Sequence, residues 1–425
     1  MKIDLTDVSP VKKQMSVEVT TEDVKRETDS VLRGYRAKAR IPGFRPGKAP
    51  MSVIRARFAK ELEEDVRERV VTASFFKAAR EKGLEPLGDP ALEDVSHEDG
   101  QPLTFKTTFE ILPQIELTDY KDIEVTQRVE VVTDEELEKA LEELRRSRVQ
   151  LVAEEGREAA QGDVVYISVE GLPSEGEPFT RERMPIEIGA ENNIKQFNEK
   201  LLGTQVGSKV EFGVEYPKSY GAEDLAGKRV EYRLEVHEVK KQVLPELDDE
   251  FAKDLGEFDD LAGLKSKLRE DLEGRKRHEA EMATRQSVLD KVLIKNVVIL
   301  PDVLVAQELR QRLEDFARSL IMRGVDPKTA EIDWDDVRKQ HDEPARKSVH
   351  ARLVLDALAT AEGITVNDSD VDARILADAK RLGEPAEKLR AQLKKHSGKE
   401  VLMAQMVREK SLDYLTSTAN IHYAD

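Results

Sequence analysis

A chain of 425 residues is too long for one ordinary core and predicts roughly two to four domains. Its 5% aromatic and 36% charged content favours elongated helical parts over one compact globule. A net charge of −18 argues against general nucleic-acid binding, and the absence of cysteine excludes a disulfide framework, a thiolate zinc site and a cysteine nucleophile. Met1-Lys2-Ile3-Asp4-Leu5 lacks the apolar run of a signal peptide. No stretch of about 18 apolar residues is present to span a bilayer, so the expected location is cytosolic, with no membrane partner.

In chain order, residues 2–8 and 12–20 alternate as strands, with Met15, Val17 and Val19 on one face. A helix is expected from Thr20 or Thr21 to about Lys38, with Asp23 in its first turn. Ile41-Pro42-Gly43-Phe44-Arg45-Pro46-Gly47-Lys48-Ala49-Pro50 cannot continue that helix, because proline lacks the N–H donor and glycine is conformationally loose. Pro50 suits the first turn of a second helix that runs to Gly83. Between Leu32 and Lys60 the chain carries Arg33, Arg36, Lys38, Arg40, Arg45, Lys48, Arg55, Arg57 and Lys60 without one Asp or Glu. This concentration of charge around Phe44 points to contact with a phosphate-rich assembly; a solvated basic helix pair is the plainer alternative. A nucleotide-binding P-loop is excluded, since the spacing is one residue short and Ala49 replaces the magnesium-binding Ser or Thr. Strands at 91–96 and 102–112 complete an α+β domain whose helical hairpin carries the loop at its tip.

Thr133-Asp134-Glu135-Glu136 forms a capping box, and Leu137, Leu141 and Leu144 follow at helical spacing, which predicts a linker helix over 133–153. From Gly162 the period becomes two: Val164, Tyr166 and Ser168 alternate with Val165, Ile167 and Val169, then Val210, Phe212 and Val214, and Val230, Tyr232, Leu234 and Val236, occupy alternate positions. Gly171, Pro173, Gly176, Pro178, Gly203 and Gly207 punctuate these strands, and an antiparallel β domain is expected at about 160–243. After Pro245 the chain reads as helical almost to its end. One helix is marked by Leu261, Leu264, Leu268 and Leu272, and Pro301 opens another with the stripe Val305, Leu309, Leu313, Phe316 and Leu320. Val349, Leu353 and Leu358, then Val371 and Ile375 behind an Asn367 cap, then Leu389 and Leu393, then Leu402 and Met406, mark further helices.

The stretch Gly43-Phe44-Arg45-Pro46-Gly47-Lys48-Ala49-Pro50 resembles the ribosome-docking signature of the trigger factor family, bacterial chaperones that meet nascent chains at the ribosomal tunnel exit. The order of segments also resembles that family, as does Leu244-Pro245-Glu246-Leu247 leading into Glu250-Phe251-Ala252-Lys253, so the resemblance spans essentially the whole chain. It implies an α+β multidomain fold. A ribosome-binding α+β domain (1–115) would carry the hairpin, and a linker with a helix (116–158) would follow. An antiparallel β domain of the FK506-binding-protein (FKBP) type (159–243) would be inserted before an elongated all-α chaperone domain with arms (244–425). The implied function is that of an ATP-independent chaperone that needs no cofactor. Its partners would be the large ribosomal subunit, through protein and rRNA, and nascent or unfolded polypeptides, with monomer–dimer exchange off the ribosome. Gly43, Phe44, Arg45, Pro46, Gly47 and Lys48 would dock: Arg45 and Lys48 as charges, Phe44 as the apolar anchor. Clients would meet Leu, Met and Val on the C-terminal helices.

Phe179, Ile194, Phe197, Tyr220 and Tyr232 match pocket positions of FKBP-type prolyl isomerases, with Gly221 after Tyr220 as that family has it. Val169 and Ile186 fall where aromatics are frequent, Thr180 where an acid is frequent, and Lys195-Gln196 replace a small or Pro-Gly pair. These departures leave catalysis open beside the reading that the five residues are simply the core of a small β domain. His97, His237, His278, His341, His350, His396 and His422 form no pair at ligand spacing, and no metal site is expected. Asp259-Asp260 and Asp335-Asp336 read as caps or solvated charge rather than acid–base dyads. Two rival functions stand beside docking: a soluble prolyl isomerase or holdase acting on free proteins, and a ribosome-independent assembly or storage protein.

Overall fold

The computed structural model describes all residues except 39, 40, 43, 46, 97–100, 155, 191, 192, 218–224, 226, 257, 331, 394–397 and 425; the side chain of Lys38 is also outside the description. Two compact units form: Met1–Thr126 with Thr284–His422, and Gln127–Ala283 with Tyr423–Asp425.

The first unit begins with β1 (Lys2–Asp7) and β2 (Lys12–Val19), an antiparallel pair in register from Lys2 opposite Glu18 to Asp7 opposite Lys13. Helix α1 (Thr21–Lys38), α2 (Met51–Arg57) and α3 (Ala59–Glu81) follow, and β3 (Pro86–Ser96) and β4 (Leu103–Ile111) close a sheet in the order β1-β2-β4-β3. Met15, Val17 and Val19 lie buried on its inner face, as their alternation requires, against Leu32, Ile54, Val66 and Phe75. Two departures from the sequence reading have local causes. The single helix expected from Pro50 to Gly83 breaks at Phe58, whose backbone leaves the helical region (φ −116°, ψ 33°) as its ring packs on Tyr35 at 5.4 Å. Strand β3 starts at Pro86 rather than 91, because Pro86 and Pro90 lie on an edge strand with irregular register, where a missing N–H is tolerated.

Next come β5 (Glu124–Arg128), α4 (Asp134–Ser147) and β6 (Gln150–Ala153). The Thr133 capping box is formed as expected, with reciprocal bonds to Glu136. The helix nevertheless stops at Ser147, short of the expected 153. Beyond Leu144 the stripe offers only Ser147 and Arg148, and 150–153 pair instead with a later strand. The β domain of the second unit contains β7 (Val164–Pro173), β8 (Phe179–Glu187), α5 (Lys195–Leu201), β9 (Lys209–Glu215) and β10 (Arg229–Val243). All its pairings are antiparallel, in the order β6-β10-β7-β8 with β9 also on β10. Val165, Ile167 and Val169 of β7 meet Leu234 and Val236 of β10 and Leu201 of α5 in its core.

The remaining elements are α6 (Asp249–Asp254), α7 (Leu261–Lys295), α8 (Asp302–Met322), α9 (Trp334–Glu362), α10 (Asp368–Leu382), α11 (Ala386–Leu393), α12 (Gly398–Ser417) and β11 (Asn420–Ala424). Helices thus follow one another to Ser417, almost to the end of the chain as expected, and the short terminal strand β11 pairs with β5. Val288, Val292, Val354, Leu358 and Leu415 form a core with Ile123 and Val125, which lays the extended chain before β5 onto the helices of the same unit. Asn296 fixes that chain from its side: it accepts from Thr118 N at 2.8 Å and donates to Thr118 O at 2.9 Å. Of the stripe expected on α8, Val305 is buried, whereas Leu309, Leu313, Phe316 and Leu320 are only half-buried.

Candidate functional site

The proline- and glycine-rich loop joins α1 to α2 and is pinned at both ends. Ile41 and Ala49 are buried in the first unit's core, while Phe44, 41% exposed, and Arg45 and Lys48 face solvent. Phe44 N donates to Ile41 O at 3.1 Å and Lys48 N to Arg45 O at 2.9 Å. The second bond closes a turn in which Gly47 has φ +79°, a value that favours glycine. Gly43 and Pro46, expected to dock, lie outside the described residues, as does Arg40. Tyr35 near the end of α1 donates to Asp65 of α3 at 2.6 Å, and that bond pushes the phenol pKa up. The helices flanking the loop are therefore tied together below it.

The charge reading sharpens in three dimensions. Among the described residues, Arg33, Arg36, Arg45, Lys48, Arg55, Arg57 and Lys60 form no ion pair, although the chain has 86 acids for 68 bases. Elsewhere some cations are paired, as in Arg157 with Asp163 or Arg408 with Asp356. Leaving this set uncompensated in an acidic protein keeps it available to an anionic surface.

A cleft of about 810 Å³ opens in the β domain. Of the five expected pocket residues it brings together Phe179 from β8, Ile194 and Phe197 at the start of α5, and Tyr232 from β10; Tyr220 lies outside the described residues. The rings pack edge to face, Phe197 on Tyr232 at 5.0 Å and Phe179 on Tyr232 at 6.2 Å. Gly171 of β7 makes the second contact possible: it stands in register between Phe179 and Tyr232, and a Cβ there would lie 2.2 Å from Phe179 Cζ. Helix α5 is held by Asn198, whose side chain accepts from Gly189 N at 3.0 Å and from Asn193 Nδ2 at 2.9 Å.

Sequence reasoning missed Tyr216, which lines the cleft and shares a hydroxyl–hydroxyl hydrogen bond with Tyr232. Its signal was present, since it continues the stripe Phe212, Val214 two residues further on. Met184 and Leu225 line the cleft as well. Of the departures from the family pattern, Val169 and Thr180 do line it, Ile186 is buried in the core, and Lys195 and Gln196 are exposed in the first turn of α5. Glu175, Glu177, Arg181 and Lys228 also line the cleft, so its aromatic part is only one side of a mixed lining; that aromatic side suits rotation about a prolyl bond, whose barrier of about 18–20 kcal/mol arises from amide resonance and needs no acid, base or metal.

Apolar side chains also stand exposed on the helices: Ile321, Met322, Val325 and Trp334 around the α8–α9 connection, and Leu376, Leu382 and Val401 on α10 and α12. Val349, Leu353, Leu358, Val371, Ile375 and Met406 are core, and Leu389, Leu393 and Leu402 half-buried. Among the described residues no group of three or more His, Cys, Asp or Glu is placed to hold a metal ion, and no helix is long and apolar enough to cross a membrane.

Family models match three stretches: "Bacterial trigger factor protein (TF)" over residues 1–144, "FKBP-type peptidyl-prolyl cis-trans isomerase" over 155–237, and "Bacterial trigger factor protein (TF) C-terminus" over 260–417. The trigger factor of Solibacter usitatus is 33% identical over 413 residues, covering 97% of this chain and 98% of its own. That of Koribacter versatilis is 34% identical over 415 residues, covering 96% and 95%. A solved structure from work on promiscuous substrate recognition by the trigger factor chaperone aligns over 98% of this chain and 99% of its own, with a TM-score of 0.51 at 23% identity; that likeness bears on the fold.

Proposed function

This chain belongs to the trigger factor family, with a domain of the FKBP type between its N- and C-terminal parts, and from that premise we propose that it docks at the tunnel exit of the large ribosomal subunit and shelters nascent polypeptides in the cytoplasm. The observation that carries this reading is the exposed Phe44 beside Arg45 and Lys48, in a window where Arg33, Arg36, Arg55, Arg57 and Lys60 likewise form no ion pair among the described residues. The guanidinium of Arg45 suits bidentate contact with carboxylate or phosphate, Lys48 acts as a point charge, and Phe44 is the apolar anchor. Clients are held weakly at many points by the exposed Ile321, Met322, Trp334 and Leu376, and the acidic remainder of the surface keeps the loaded chaperone in solution. The aromatic side of the cleft, formed by Phe179, Phe197, Tyr216 and Tyr232, supports prolyl cis–trans isomerisation without a cofactor.

Cosedimentation with ribosomes tests docking. The natural chain should pellet and weaken as salt rises, because ion contacts are screened. A folded Phe44→Ala, Arg45→Ala, Lys48→Ala variant should lose affinity by roughly a hundredfold or more. If both remain in the supernatant at low salt, the docking reading falls and the chain acts on free proteins.

A further inference from the structure

We propose that Arg36, although it belongs to the basic window, serves as a positioning residue that holds the docking loop in shape; the proposal rests on the docking reading and deepens it. Its Nε donates to Gly47 O at 3.0 Å, across eleven residues of chain. It is half-buried, whereas Arg33, Arg45, Lys48, Arg55, Arg57 and Lys60 are all exposed. Proline and glycine supply the loop with few side chains of its own to pack, and Ile41 and Ala49 anchor only its ends. The bond from Arg36 reaches the part between them.

The carbonyl that Arg36 holds belongs to the residue that sets the turn. Gly47 has φ +79°, and the turn around it is closed by Lys48 N on Arg45 O, so fixing Gly47 fixes the two cations on either side. Arg36 in turn sits on a rigid element, because its neighbour Tyr35 binds Asp65 at 2.6 Å and packs on Phe58. A continuous path therefore runs from α3 through Tyr35 and Arg36 to the loop. A charge-assisted bond to a carbonyl is stronger than one between neutral groups, and it places Arg45 and Lys48 before any partner arrives.

Two variants test this. Arg36→Met keeps the stem and removes the donor; Arg36→Lys restores a donor and the charge. By NMR hydrogen exchange, the Lys48 amide should exchange on the order of tenfold faster in Arg36→Met and near the natural rate in Arg36→Lys. Ribosome affinity should fall on the order of tenfold in Arg36→Met, with the slope of log affinity against log salt unchanged, and recover in Arg36→Lys. Circular dichroism establishes that both variants are folded. An unchanged Lys48 amide overturns the proposal. So does a salt slope that drops by about 0.7–0.9, the mark of a direct ionic contact, and so does failure of lysine to restore binding. If the natural chain does not sediment at all, the docking reading falls by itself, while the Lys48 amide still decides whether Arg36 holds the loop.

Discussion

Gly171→Ala discriminates between a catalytic cleft and a mere hydrophobic core. The added Cβ would stand 2.2 Å from Phe179 Cζ, 2.5 Å from Cε1 and 2.7 Å from Cε2. Carbon atoms settle near 3.5–4.0 Å, so the ring must retreat by ~1.5 Å. Its edge contact with Tyr232, now 6.2 Å between centroids, is then lost, at about 0.5–1.5 kcal/mol, and an off-rotamer ring adds about 0.5–1.5 kcal/mol. The domain should therefore lose about 1–3 kcal/mol in urea unfolding. Catalysis should fall further than folding, because Phe179 walls the cleft and each ~1.4 kcal/mol of lost transition-state binding costs tenfold. Isomerisation of a proline-containing peptide followed by NMR exchange gives kcat/KM for the natural chain and the variant, both well below their unfolding midpoints. A variant that is destabilised yet isomerises the peptide as fast as the natural chain would refute the cleft reading and leave the aromatic cluster as core. A variant unchanged in both respects would refute the packing argument itself.

Two further predictions concern the first unit. Asn296→Ala leaves both main-chain groups of Thr118 without their partner, and a loss of about 2–4 kcal/mol in urea unfolding is expected; Asn296→Asp should not rescue it, since a carboxylate has no donor for Thr118 O. Lys121, Tyr120 and Tyr414 all bind the Glu362 carboxylate and hold its pKa at about 2, against an ordinary 4.5. Because the folded value is the lower one, the contribution is complete above pH about 4.5 and is lost as pH falls towards 2. The stability difference between the natural chain and Glu362→Gln should accordingly shrink across that window in acid-urea titrations, and a constant difference would refute the pairing.

What the sequence revealed and what it concealed follow from how local each feature is. The proline- and glycine-rich loop between α1 and α2 was legible because its signal fits into ten contiguous residues, with proline and glycine to stop the helices and cations on both sides. The capping box at Thr133 was legible for the same reason, since its two partners are three residues apart. Phe58 was not, because its break in the helix depends on a ring 23 residues away at Tyr35. Strand β6 was hidden behind a helical stripe that the partner residues 240–243 override. Asn296 gives no signal at all in its neighbourhood, because the group it satisfies lies 178 residues earlier. The cleft falls between these cases: Phe179, Ile194, Phe197 and Tyr232 came from family resemblance, while Tyr216 followed a visible alternation that ended one step too soon.

The two sites also lie in different compact units, and that separation has a thermodynamic consequence. The loop rests on a core containing Met15, Ile54 and Phe75; the cleft rests on Ile167, Leu201 and Leu234, and among the described residues these two cores share none. Coupling between sites requires an element with two states that both of them bias. Without a shared core, their free energies should add to within about 0.3–0.5 kcal/mol. Phe44→Ala should therefore weaken ribosome binding and leave peptide isomerisation unchanged, while Gly171→Ala does the reverse, and the double variant should show the sum. An interaction energy clearly above that bound would mean that docking and isomerisation select between common conformations of the whole chain. The cleft would then have to be treated as part of the docking machinery rather than as an independent module.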